Sequence, residues 1–148
     1  MRMYARRLLI IGLALAGHAS AGCDLSIEAG DAMQYSRNAL IADAGCERIR
    51  VTLSHTGRLS RDLVGQNWVL ARTADIKGVA QDGFAAGIEH DFVAPGDARV
   101  LAATPLLGGG ERATVEIPRS RLLPGEEYSY FCTFPGSWLV MRGRLRLR

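Results

Sequence analysis

Beyond its first 21 residues the chain has no second long apolar run, no excess of either charge, no internal repeat and no low-complexity segment. Each absence removes a class. Without a second apolar run there is no pattern for a membrane bundle. A balanced charge leaves no electrostatic footprint for nucleic acid. Lysine is nearly missing, with Lys77 the one exception among 18 basic residues, and no function follows from that. The glycine run Gly108-Gly109-Gly110 lacks the lysine and the strand–loop–helix context of a phosphate loop, so it reads as a turn. Histidine is scarce too, at three residues: His18, His55 and His90.

The first 21 residues read as an export signal. Arg2, Arg6 and Arg7 form a basic start, Leu8 to Ala16 an apolar stretch too short to span a bilayer, and Ala19-Ser20-Ala21 a small-residue cleavage site. The expected organisation is therefore a signal peptide over 1–21 and one domain over 22–148, long enough for a real core. Removing the signal takes three arginines and no acid, leaving 15 residues of each sign. The sequence pI near 9.0 belongs to the precursor and misleads about the domain.

Three cysteines in an exported chain imply one pair and one odd residue. Cys23 and Cys46 flank the first stretch of strands, whereas Cys132 lies in a loop near the end. A lipid-attachment signal ending at Cys23 competes with the pair. Ser20 stands where such a signal has a leucine-like residue, however, and lipidation would strand Cys46. A Cys23–Cys46 disulfide is expected.

From Asp24 onward the pattern is short β runs bounded by turn residues. Leu25, Ile27 and Ala29 alternate with polar neighbours, Arg48 to Leu53 alternates as R-I-R-V-T-L, and Thr114 to Pro118 does so again. Trp68 to Ala71 is a short apolar run and Tyr128 to Phe131 is aromatic strand material. The final segment puts Arg142, Arg144, Arg146 and Arg148 on one face, as expected of a half-exposed strand with a charged outer side. Between Ala74 and Glu89 the spacing of Ile76, Val79, Ala80, Phe84 and Ile88 predicts a short helix, weakened by Gly78, Gly83 and Gly87. The predicted class is all-β, a Greek-key sandwich with one short helical insertion.

Residues Phe131 to Met141 read F-C-T-F-P-G-S-W-L-V-M. A cysteine at a strand end, a Pro-Gly loop and a methionine nine residues after the cysteine frame a blue-copper ligand loop. Further segments agree in order: C-D-L-S-I-E-A-G-D from Cys23, L-S-H-T-G at 53–57, G-Q-N-W-V-L at 65–70 and A-D-I-K-G-V at 74–79. From about Cys23 to its last residue the chain resembles the azurins, small periplasmic blue-copper proteins of the cupredoxin fold that transfer electrons through a type 1 copper.

The resemblance implies a site residue by residue. Cys132 matches the thiolate ligand, Met141 the axial thioether, and Gly65 the glycine whose carbonyl caps the other side. The two ligand histidines of the family fall at Gln66 and Ser137. His55 matches a family histidine that packs near the site without ligating, and is expected to be half-buried and satisfied. His90 is expected at the surface, and His18 leaves with the signal. With both imidazoles gone, copper binding is expected to be weak or lost.

Three functions follow, and none is a conventional enzyme. The family role is periplasmic electron transfer with copper as cofactor. The residues also allow a copper-free binding module, or a soft-ligand Cu(I) binder using Cys132 and Met141. In azurins the surface around the second histidine is an apolar docking patch. Trp138, Leu139, Val140 and Val64 either keep that patch apolar for a periplasmic redox or other protein partner, or Trp138 folds inward and fills the vacated space.

Overall fold

A computed structural model describes residues 22–148; the expected signal peptide at 1–21 lies outside the described residues. Among the described residues eight strands form two sheets. β1 (Asp24–Ala29), β3 (Arg48–His55) and β6 (Arg112–Pro118) make a three-stranded sheet in the order β1-β3-β6. β2 (Ala39–Ala42), β8 (Arg142–Leu147), β7 (Tyr128–Phe131), β4 (Val69–Arg72) and β5 (Ala102–Ala103) follow one another in the second. β1 pairs parallel with β3 and β2 parallel with β8, while β3–β6, β4–β5, β4–β7 and β7–β8 are antiparallel.

The alternation in the sequence is the cause of the layering. In β3 the side chains of Ile49, Val51, Leu53 and His55 all point inward, and the arginines between them stay out. Ile49, Val51 and Leu53 share one core with Leu40, Leu70, Tyr130 and Leu145 of the other sheet and with Trp68 just before β4. Trp68 stacks on Tyr130 with ring centroids 5.6 Å apart, and Tyr35 meets the same ring edge-on at 5.4 Å. The Cys23–Cys46 disulfide is present and ties the start of β1 to the turn before β3.

The expected helix is α2 (Ile76–Ala86), flanked by single 3-10 turns at Thr73–Asp75 and Ile88–His90; a four-residue turn, α1 (Arg61–Val64), was not foreseen. Ile76, Val79 and Ala80 press onto Val69, Ala71 and Phe131, on the face of the second sheet turned away from the main core. One of the weakening glycines has a packing reason: a Cβ on Gly83 would run into the backbone carbonyl of Phe92, whereas one on Gly78 would meet only the movable tip of Arg99. Phe84, although spaced with the helix's apolar residues, is 63% exposed.

Candidate metal centre

The hairpin between β7 and β8 builds the centre. Where the two strands part, the Cys132 N–H donates to the Met141 carbonyl at 3.0 Å, closing the intervening loop into a ring. Inside it the Ser137 N–H donates to the Phe134 carbonyl at 2.9 Å, and the Met141 N–H to the Ser137 carbonyl at 2.7 Å. Gly136 adopts φ +83°, a left-handed conformation that glycine takes without strain. Because Val69 is paired with Phe131, the residues just before β4 are drawn alongside Cys132 and Thr133. Gly65, Gln66 and Asn67 therefore meet the loop.

The Cys132 sulfur is buried and lies 3.8 Å from both the Gly65 carbonyl oxygen and Gln66 Oε1, with its S–H directed to them. Gln66 is itself anchored. Its Nε2 donates to the Gly30 carbonyl at 3.0 Å, and its backbone makes an isolated bridge with Leu107. Gly65 cannot carry a side chain, since a Cβ would sit 2.4 Å from the Arg61 carbonyl oxygen and 2.7 Å from the Leu106 side chain. Met141 is buried in the same core as Cys132. Burial pushes the Cys132 thiol above its ordinary pKa, and the backbone N–H groups of Asn67 and Phe134 and the Ser137 hydroxyl offset this only in part. That hydroxyl influences the thiol from nearby but is not in hydrogen-bonding geometry. Ser137 is fully buried, and its Oγ has no hydrogen-bond partner among the described residues.

His55 is closed to other use. A backbone N–H can only donate and a carbonyl can only accept. Nδ1 accepts from Gly57 N–H at 3.0 Å, so Nε2 carries the proton and donates to the Val64 carbonyl at 2.9 Å. The ring is satisfied as expected, but buried rather than half-buried. His90 is exposed. Among the described residues there is no cluster of three His, Cys, Asp or Glu side chains that could hold a metal.

Sequence reasoning missed the clamp behind the loop. Asn67 Oδ1 accepts from the Thr133 N–H at 2.9 Å, while its Nδ2 donates to Thr133 Oγ1 at 2.7 Å and to the Asp91 carbonyl at 2.9 Å. The only signal was an asparagine beside Gln66.

Trp138 does neither of the two things expected of it in full. It turns toward α2, packs half-buried against the Phe131 cluster, and lines a groove of about 280 Å³ with Ala80, Phe84 and Pro135. The apolar groups left at the loop end are Leu139 and Val140, 59% and 74% exposed. Val64 is half-buried and its neighbour Leu63 is exposed.

The donor set does not fit a type 1 copper. Such a site is planar and made of one thiolate and two imidazoles. Here a thiol faces two carbonyl-type oxygens, the same loop carries a buried thioether and a buried short hydroxyl, and the nearby imidazole is spent on the backbone.

A profile of copper-binding proteins of the plastocyanin/azurin family matches residues 21–148. The chain is 46% identical over 128 residues to azurin of Achromobacter denitrificans, covering 86% of each. It is 43% identical over 129 residues to azurin of Pseudomonas aeruginosa, covering 87% of each. Among solved structures, the azurin Az-iso2 of Methylomonas sp. strain J superposes with a TM-score of 0.83 at 42% identity, over 86% of this chain and 99% of that one.

Proposed function

Because the chain belongs to the plastocyanin/azurin family, we propose that it is an exported, periplasmic cupredoxin in which the copper centre is dismantled. Members of the azurin family are electron carriers rather than conventional enzymes. In this chain the retained family copper positions are Cys132, Met141 and Gly65, and the lost imidazole positions are Gln66 and Ser137. One observation carries the reading. Gln66, in place of a histidine, is tied to the Gly30 carbonyl and directs its oxygen at the Cys132 thiol. The place of a metal ligand has become an internal hydrogen-bond contact, so copper is held weakly or not at all. The function left to the fold is binding through the loop end, where Leu139 and Val140 stay exposed beside Trp138.

A second reading is kept by the two buried sulfurs. Cys132 and Met141 are soft donors that suit Cu(I), an ion that tolerates low coordination. Titration of the purified protein with copper under oxidising and reducing conditions separates the readings. The dismantled centre predicts no intense thiolate-to-copper colour with Cu(II), and no slowing by Cu(I) of Cys132 alkylation in the folded protein. Strong colour means a working carrier; protection by Cu(I) alone means a soft-ligand binder.

A further inference from the structure

The arginine row of β8 finds a use at the opposite end of the hairpin from Cys132. There, a cleft of about 460 Å³ opens between the last residues of β8 and the segment leading into β7. Three arginines line it: Arg119, Arg144 and Arg146. The acids beside them are already engaged. Glu127 pairs with Arg144 at 2.6 Å, and Glu126 reaches Arg72 at 3.7 Å. Arg146 has no carboxylate partner among the described residues.

Arg119 supplies the second observation. One of its terminal nitrogens donates to the Leu122 carbonyl at 2.7 Å, which fixes the guanidinium at the cleft wall. A group bound between it and the unpaired Arg146 must accept hydrogen bonds and carry negative charge. Guanidinium forks match the oxygens of phosphate and carboxylate. The remaining wall is apolar, formed by Leu123, Pro124 and Leu147. The volume falls within the range of small-ligand pockets, ~300–1,000 Å³.

We propose that this cleft is an oxyanion site, which takes the phosphate or carboxylate group of a small organic anion onto Arg119 and Arg146 and lays its apolar body on the Leu123–Pro124–Leu147 wall. Arg142, on the same face of β8 but outside the cleft, has no part in it.

The test is a titration of the purified protein with inorganic phosphate and with phenyl phosphate, followed by the arginine Nε–H signals in NMR. Both probes shift the Arg119 and Arg146 signals saturably, and phenyl phosphate saturates at the lower concentration. Arg146→Gln weakens binding about tenfold, the loss expected for one charged hydrogen-bond partner; Arg142→Gln leaves it unchanged. Arg119→Gln, checked for folding by its NMR dispersion, also weakens binding. Absence of saturation, or equal weakening by Arg142→Gln and Arg146→Gln, overturns the assignment. Saturation of the same signals by a glutamate-rich peptide at lower concentration than phenyl phosphate overturns it in favour of a protein partner.

Discussion

Gln66 Oε1 and the Cys132 sulfur face each other at 3.8 Å, with the other end of the carboxamide held by the Gly30 carbonyl. This arrangement makes the centre a self-contained polar contact inside the core. In the proposed reading Gln66 and Cys132 are the positions at which the family holds copper through a histidine and a thiolate, here 3.8 Å apart. The neighbouring Ser137 shows that the adjustment is incomplete, because its hydroxyl is buried without a partner.

Ser137→Ala should therefore stabilise the protein or leave it unchanged, with a gain of up to about 1 kcal/mol. Removing an unpaired buried hydroxyl removes its desolvation cost, and alanine fits the vacated space. The loop hydrogen bonds use the Ser137 backbone and persist in the variant. Urea unfolding measures the difference. A loss of more than about 1 kcal/mol would mean that the hydroxyl has a partner in solution.

Asn67→Ala should act in the opposite direction. It removes three hydrogen bonds and leaves the Thr133 N–H buried without an acceptor. The expected cost is about 3 kcal/mol, since orphaning a buried group costs more than a typical bond is worth. Urea unfolding again reads it, with amide exchange at Thr133 and Phe134 rising more than exchange in β3.

The fold was legible where burial follows a period. β1, β3, β6, β7 and β8 lie where alternation or aromatic content placed strands, and α2 lies within the segment whose apolar residues recur in threes and fours. β2 and β5 were not legible. Ala39 to Ala42 has no alternation to read, and its parallel pairing is dictated by β8, about a hundred residues away in the chain. Two residues at β5 carry too little pattern for any local rule. At the centre, Cys132, Met141, Gly65, Gln66 and Ser137 were visible as positions in a motif. The Asn67–Thr133 clamp joins residues 66 apart, and only the pairing of β4 with β7 brings them together. Trp138 was ambiguous because its direction is set by α2, not by its own loop.

Alkaline unfolding gives a third check. Burial raises Tyr130 to about 12 and Tyr35 well above its ordinary value. Both phenols are thus kept protonated in the fold at a pH where the unfolded chain has begun to ionise, near 10. Above that pH the unfolded state binds fewer protons than the native one, so stability falls as pH rises. From about pH 10 to 12 the loss on account of Tyr130 should reach about 2 kcal/mol. Tyr130→Phe should flatten that slope, although it also removes the hydrogen bond to the Arg37 carbonyl. Denaturation at a series of pH values reads the slope directly. A slope unchanged in the variant would contradict the assignment to Tyr130.

In the proposed reading, loss of two imidazoles on an otherwise retained scaffold disables the copper centre. The most direct test is the visible spectrum of the purified protein and of Gln66→His/Ser137→His after addition of Cu(II). A colourless parent and an intensely coloured double variant with a thiolate-to-copper band are expected. An equally intense band in the parent would contradict that reading.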